Sequence, residues 1–431
     1  MANYRHRPFW WDDADLPNRT PAEPAAELPE RAEIVVIGAG YTGLSAALTL
    51  ARGGRQVVVV DADRPGYGCS ARNGGLIGPS FHKLGLAGLT AAYGSTTAHA
   101  ILRESMDTLD YLKDFIAREK IDCALKPTGR FRGARRPGAY DAMAREAEAL
   151  QKAVGLRFEA VPRSRQHRQI GSDHYHGGLL LPDDGHLQPA ALLVGLCARA
   201  LDAGARIFAP ARVRALRREN RGFTLQFPDR QVRAEQVLVA TNGYTGPDFR
   251  YYYRRVLPIR SAIIATEELD PGLMAELSPQ NRGFGDSSRL VIYYRASPDG
   301  KRLVFGGRVF DRADRPEKYS IDLHRLMTRI FPQLADTAVS HAWSGTVAYT
   351  FDHAPHLGER DGVFYSMGYC GSGVGRANYF GRKIALKMLG AADAQTALDG
   401  LQFRTHPLYT GSTWFMPAVL RYQDWADRLG L

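Results

Sequence analysis

The chain has 431 residues, of which 45% are hydrophobic and 23% charged; this exceeds the roughly 250–300 residues at which a single core stops growing and is ordinary for a soluble enzyme. No apolar run reaches the ~18 residues of a membrane span and no apolar signal core follows Met1, so no membrane span and a cytoplasmic location are expected. The net charge of +11 comes from basic residues scattered along the chain, and no nucleic-acid motif accompanies Arg217-Arg218 or Arg254-Arg255, which argues against a nucleic-acid partner.

In chain order, Pro17, Pro21, Pro24 and Pro29 predict an extended N-terminal arm over residues 1–30. A strand is predicted at Ile34–Ile37, a helix at Leu44–Arg52 and a strand at Val57–Val60, which make a βαβ unit. A second strand–helix–strand signal covers Leu187–Phe208, with Pro189 suited to the first helical turn and Ala205–Phe208 as the closing strand. Phe223–Phe227 and Leu303–Phe305 alternate like antiparallel strands, whereas Val237–Ala240 is apolar throughout, like a buried parallel one. Tyr251-Tyr252-Tyr253 are expected as surface or entrance aromatics, and a helix from about Arg376 to Leu389 follows the last glycine-rich turn. The cysteines at 69, 123, 197 and 370 are far apart and form no CxxC pair, so no structural metal is expected.

The first βαβ unit carries Gly38-Ala39-Gly40-Tyr41-Thr42-Gly43, a G-x-G-x-x-G sequence directly after a strand and before a helix. Asp61 closes the next strand, with Ala62 after it. Gly38 permits the tight turn, Gly40 the approach of a pyrophosphate, and Gly43 close packing of helix on strand; Asp61 supplies an acceptor for ribose hydroxyls. The pattern is that of a dinucleotide site.

The segment Gly68-Cys69-Ser70-Ala71-Arg72-Asn73-Gly74-Gly75 resembles the G-x-S-x-R-N-G-G element of the D-amino-acid oxidase superfamily of FAD enzymes. Val237–Gly243 resembles its strand-plus-ATG/ATN element, Gly185–Gly204 its G-x-x-x-P helix, and Met367–Gly375 its carboxy-terminal G-x-S-G-x-G turn. The resemblance spans roughly residues 31–390. It implies an α/β chain, α+β overall, with a Rossmann-type FAD-binding domain (31–85, 166–245 and 341–390), a discontinuous substrate domain on a mainly antiparallel sheet (86–165 and 246–340), and a helical tail at 391–431. It also implies that Gly74 and Gly75 let the flavin ring pass the backbone, that Arg72 and Asn73 hydrogen-bond to it, that Ser70 and Leu76 belong to the cofactor set, and that the backbone of Val213, in a strand Arg212–Leu216, meets the adenine. Ala240, Thr241 and Asn242 complete the cofactor set, and the turn Gly371, Ser372, Gly373, Val374 and Gly375 turns amides and a helix dipole toward the flavin N1/O2 edge.

Trp343–Gly358 resembles the W-x-G-x-x-x-x-T-x-D-x-x-P-x-I/L-G segment of the gamma-glutamylputrescine oxidase and sarcosine oxidase-like branch. Val347 stands where sarcosine oxidases carry a flavin-linking cysteine, so the FAD is expected to be noncovalent. Gly375 stands where those enzymes carry a carboxylate-binding lysine, which favours an amine over an α-amino acid. The implied reaction removes a hydride from the carbon next to nitrogen to flavin N5, leaves an imine for hydrolysis, and passes electrons to dioxygen or a carrier. Tyr349, Trp343, Asp352, His82 and Arg376 are the candidate substrate-facing residues. An NAD(P)H-dependent flavin monooxygenase and an FAD-binding electron-transfer subunit are the alternatives.

Overall fold

The computed structural model describes residues 4–309 and 314–429. Its first sheet runs His356–Arg360, Val363–Met367, Gln231–Val239, Arg31–Ile37, Val57–Val60 and Arg206–Phe208, with Phe223–Gln226 and Ala215–Arg218 as an antiparallel extension. The five strands from Val363–Met367 to Arg206–Phe208 are parallel. Counted along the chain, their spatial order is the 3-2-1-4-5 of a Rossmann half. The apolar runs explain the position: Val57–Val60 is buried at every residue, as a parallel strand covered on both faces demands.

Helices Tyr41–Arg52, Pro189–Asp202 and Gly373–Met388 cover one face of this sheet and share its larger core. The other face buries Phe223, Phe227, Tyr252, Tyr365 and Phe403. Tyr252 is thus core, its ring tilted against that of Tyr365 at 5.1 Å between centres, which corrects the expectation of a surface or entrance aromatic at that position, while Tyr251 and Tyr253 are half-buried.

The second sheet has the order Val339–Tyr349, Leu257–Thr266, Leu303–Arg308, Ile292–Ala296, Gly283–Asp286, Arg130–Gly133, Gly178–Leu181 and Glu159–Val161. It is antiparallel except where Gly283–Asp286 runs alongside Arg130–Gly133. Two segments expected in the dinucleotide domain, 341–349 and 178–181, therefore pair in the other sheet. Val339–Tyr349 hydrogen-bonds to Leu257–Thr266 along nearly its whole length. Conversely, Ser95–Arg118, expected in the substrate domain, lays the buried stripe of Ile101, Leu102, Leu109, Leu112 and Phe115 against the Rossmann-side core, and its Glu104 accepts the Tyr379 hydroxyl at 3.1 Å.

The N-terminal segment is not extended throughout: past residue 19 it pairs at Glu23 with Phe208, but before that it is largely helical. Helices form at Phe9–Asp13 and Leu16–Arg19, because Phe9-Trp10-Trp11 carries more apolar surface than the prolines that follow can keep in water. Trp10 is fully buried, donates to the Asn73 carbonyl at 2.8 Å and packs edge-on against Trp343. Among the described residues no helix is long and apolar enough to cross a membrane.

Candidate functional site

The two sheets meet over a cleft of about 330 Å³, within the roughly 300–1,000 Å³ of an ordinary small-ligand pocket. It opens at the carboxyl ends of the parallel strands, where Arg31–Ile37 and Gln231–Val239 lie side by side and the connections leave in opposite directions, the switch point at which such sheets bind ligands. The N-termini of the 12-residue helix Tyr41–Arg52 and the 16-residue helix Gly373–Met388 both end in its wall, presenting unpaired amides and positive dipole ends. The second helix begins three residues earlier than expected, so Gly373-Val374-Gly375 is itself its first turn.

The wall contains Gly40, Tyr41, Thr42, Ser70, Arg72, Asn73, Gly74, Gly75, Leu76, Ala240, Asn242 and the whole turn Gly371–Gly375. Gly38, Gly43, Asp61, Ala62, Val213 and Thr241 lie outside it: Gly38 and Gly43 flank the first turn, and Asp61, Ala62 and Thr241 come just after the carboxyl ends of Val57–Val60 and Gln231–Val239. A Cβ on Gly43 would stand 1.8 Å from the Gly38 carbonyl oxygen, so this helix packs only as glycine permits. Gly75 has φ +71° and a Cβ there would stand 2.1 Å from the Leu187 oxygen, which keeps the turn flat against the cleft. Asp61 Oδ2 accepts the Ala39 amide at 2.7 Å and Oδ1 the Asp63 amide at 3.0 Å. Burial nevertheless raises its carboxyl to about 6. Val213 precedes its strand, which runs Ala215–Arg218 rather than Arg212–Leu216, and is buried in the sheet's second core.

The polar side chains of the R-N-G-G turn are spent on the turn. Asn73 Nδ2 donates to the Cys69 and Ser70 carbonyls and Oδ1 accepts the Gly75 amide. Arg72 donates to Tyr67 and Ser344 carbonyls and lies 4.4 Å from the Trp11 ring centre. Arg295, fully buried, holds the next carbonyls: Nε donates to Gly74 at 2.9 Å and Nη2 to Leu187 at 2.7 Å. What the turn offers a ligand is therefore a rigid backbone rather than the free amide head of Asn73.

Of the five candidate substrate residues only Tyr349 lines the cleft. Trp343 is core; its indole donates to the Arg72 carbonyl at 2.9 Å. His82 Nε2 contacts the Asp352 carbonyl at 2.8 Å while Nδ1 accepts the Leu84 amide, and burial lowers it to about 4, so it is a neutral loop anchor. Asp352 pairs with buried His356 at 3.1 Å. Arg376 is buried, and its fork is occupied by the Tyr369 and Ser80 carbonyls.

Sequence inspection missed the cations of the cleft. Lys83, Arg130, Arg260 and Arg308 join Arg72 in its wall, and no Asp, Glu or His does. Arg130 is neutralised by Asp184 at 2.7 Å, and Arg260 donates to Ser344 Oγ at 2.6 Å with Asp314 3.7 Å away. Arg308 and Lys83 have no carboxylate among the described residues. Both converge on Tyr349: Arg308 donates to its hydroxyl, and Arg308 Cζ and Lys83 Nζ each lie 4.7 Å from its ring centre. Arg308 was legible in part, since it shares a strand face with Gly306, where a Cβ would strike the Tyr293 ring; a strand glycine marks a close approach.

The cleft's two helix N-termini, its glycine cradle and Asp61 fit an extended dinucleotide with a flavin ring between the sheets. The DAO family profile, FAD dependent oxidoreductase, matches residues 33–386. The chain is 33% identical to the "Probable oxidoreductase OrdL" of Rhizobium meliloti (strain 1021), over 96% of this chain and 95% of that one. It is 30% identical to the gamma-glutamylputrescine oxidoreductase of Escherichia coli (strain K12), over 93% of each. In fold it is similar to glycine oxidase from Geobacillus kaustophilus, with TM-score 0.72, 19% identity and coverage of 88% of this chain and 100% of that one. L-proline dehydrogenase from P. horikoshii gives a TM-score of 0.71 at 19% identity, over 85% of this chain and 96% of that one. Glycine cradle, switch-point cleft and sequence agree: this chain belongs to the DAO family of FAD-dependent oxidoreductases.

Proposed function

We propose that the chain oxidises a carbon–nitrogen bond in an amine that also carries a carboxylate, with dioxygen as the electron acceptor and hydrogen peroxide as its product. The observation that carries this reading is the Arg308–Tyr349–Lys83 group: two cations unopposed by any carboxylate among the described residues, in the wall of the flavin cleft. Arg308 is half-buried and Lys83 is open to solvent; a substrate that covered them would leave an uncompensated cation at a cost, which a substrate carboxylate relieves. The guanidinium of Arg308 matches a carboxylate geometrically, one edge of its fork being held by the Tyr349 hydroxyl. The expectation drawn from Gly375, that a carboxylate lacks its cation, is answered from the opposite wall. The gamma-glutamylputrescine named for a relative is itself an amine with a carboxylate.

Bound FAD supplies the two-electron acceptor for the hydride equivalent leaving the carbon beside nitrogen. The protein's part is to anchor the carboxylate, hold the C–H bond at a fixed approach and exclude water behind the Arg72 and Gly74 turn. Noncovalent attachment is proposed on the same geometry: Val347 in the wall has no nucleophile, and burial pushes Cys69 to about 11 and Cys370 upward, away from the reactive thiolate. The test is anaerobic bleaching of the bound flavin by matched pairs of amines with and without a carboxylate, followed by oxygen-electrode turnover. Preferential bleaching by the carboxylated members is expected; bleaching by NADPH and by no amine overturns the reading.

A further inference from the structure

Loss of a hydride from the carbon beside nitrogen needs the nitrogen lone pair, and an ammonium has none. An aliphatic amine with a pKa near ~10, like a free lysine, reaches pH 7 with about one molecule in a thousand neutral. A group in the cleft that accepts this proton would remove that handicap. The cleft wall holds no Asp, Glu or His. Its phenols are disqualified in the direction they move: burial raises Tyr41, Tyr293 and Tyr349, and Tyr369 to about 12. The thiols of Cys69 and Cys370 move the same way.

Among the groups of the wall Lys83 alone moves toward a base, to about 8, through desolvation by the cleft first and then the charge of Arg308, although its residue as a whole is open to solvent. The geometry supports it independently. Lys83 sits on the irregular stretch between the strand Leu76–Ile77 and the helix Gly85–Tyr93, its neighbour His82 pinned to the backbone of Asp352 and Leu84. The pinned backbone turns the ammonium end into the cleft, above Tyr349, with no hydrogen-bond or carboxylate partner among the described residues. The groups facing it are Arg308, Tyr349, Cys370 and His353, whose ring lies edge-on to Tyr349 at 6.1 Å; Arg376 lies behind, on the Ser80 carbonyl.

We propose that Lys83, as the free amine, is the base that takes the proton from the substrate ammonium. The substrate N–H bond breaks, an Nζ–H bond forms on Lys83, and the positive charge passes from substrate to Lys83; the neutral amine left behind is the form from which bound FAD would take a hydride, the hydride carrying both electrons. This rests on the carboxylated-amine reading. A carboxylate docked on Arg308 offsets the positive charge that lowers the proton affinity of Lys83, so substrate binding itself strengthens the base. The proton donor and the anion that raises its acceptor's affinity are thus parts of one molecule.

The experiment is stopped-flow anaerobic flavin reduction of the holoenzyme by a carboxylated amine from pH 6 to 11, in wild type, Lys83→Met and Lys83→Arg, each first checked for its bound-flavin absorbance. In wild type the second-order rate constant is expected to rise to a plateau through about pH 8. Both variants are expected to lose about 10²–10⁴-fold at pH 7, the range of a general base, and to climb tenfold per pH unit until they approach wild type near the substrate's own pKa of about 10. As a readout apart from activity, acylation of the holoenzyme at pH 8 followed by peptide mass mapping is expected to modify Lys83 ahead of surface lysines. Propionate, a carboxylate without an amine, is expected to suppress this labelling. A Lys83→Met profile that parallels wild type at every pH overturns the assignment and leaves the substrate reading standing; a wild type reduced only by amines without a carboxylate overturns both.

Discussion

Replacing Arg308 by methionine removes the guanidinium and keeps most of the stem. A hydrogen bond to a charged group is worth about 1.5–3 kcal/mol, so each bond lost to a substrate carboxylate lowers kcat/KM by about 10- to 150-fold at 1.4 kcal/mol per decade. One edge of the fork is committed to the Tyr349 hydroxyl, which leaves the outward N–H groups for substrate and makes one to two such bonds the expected loss. The same change strips a donor from Tyr349, only 5% exposed, at a cost in stability of about 1–3 kcal/mol, to be read separately by urea unfolding. The assay is anaerobic flavin reduction by a carboxylated amine and by its decarboxylated analogue. The loss should fall on the first and spare the second. Equal losses on both would show that Arg308 supports the cleft rather than anchoring a carboxylate, and the substrate reasoning would fail.

Asp61 gives a pH dependence with a definite sign. Its folded-state carboxyl at about 6 lies above the ordinary 3.8, so the folded apoprotein holds more protons than the unfolded chain between these values; its contribution to stability is full below about pH 4 and is lost as pH rises through 6. Ribose hydroxyls of a bound FAD would donate to the carboxylate and reverse the trend: FAD affinity measured by flavin fluorescence should tighten from pH 5 to 7, and Asp61→Asn should flatten that slope. Trp10→Ala removes a fully buried indole and its bond to the Asn73 carbonyl; about 3–5 kcal/mol of stability should disappear in urea unfolding, together with FAD content, whereas an unchanged midpoint would mean that the N-terminal helices are ornamental. Acid precipitation should release all the yellow colour to the supernatant, and a flavin-labelled pellet would refute noncovalent binding.

The local code for the dinucleotide domain is short-range and was visible. Ile34–Ile37, Gly38–Gly43 and Val57–Asp61 are contiguous, each residue type serving the element it sits in, so strand, turn and helix follow from adjacent positions with errors of a few residues at their ends. The same holds for the turn at Gly371–Gly375, whose glycines prepare the helix that starts inside it.

What the sequence by itself determined is a βαβ unit with a glycine-rich nucleotide turn, and, with the turns after it, a flavin cofactor. Only the tertiary structure decided what stands opposite the flavin. Trp343, His82, Asp352 and Arg376 lie near the glycine motifs in sequence yet face carbonyls, cores and one another, because polar side chains beside tight turns are consumed in satisfying buried backbone groups. Lys83 and Arg308 are 225 positions apart and no spacing rule connects them. They meet on Tyr349 only because the antiparallel sheet folds down over the Rossmann crevice. The charge of the substrate site is a property of that closure, and long-range pairing of sheets is the step that local propensity does not encode.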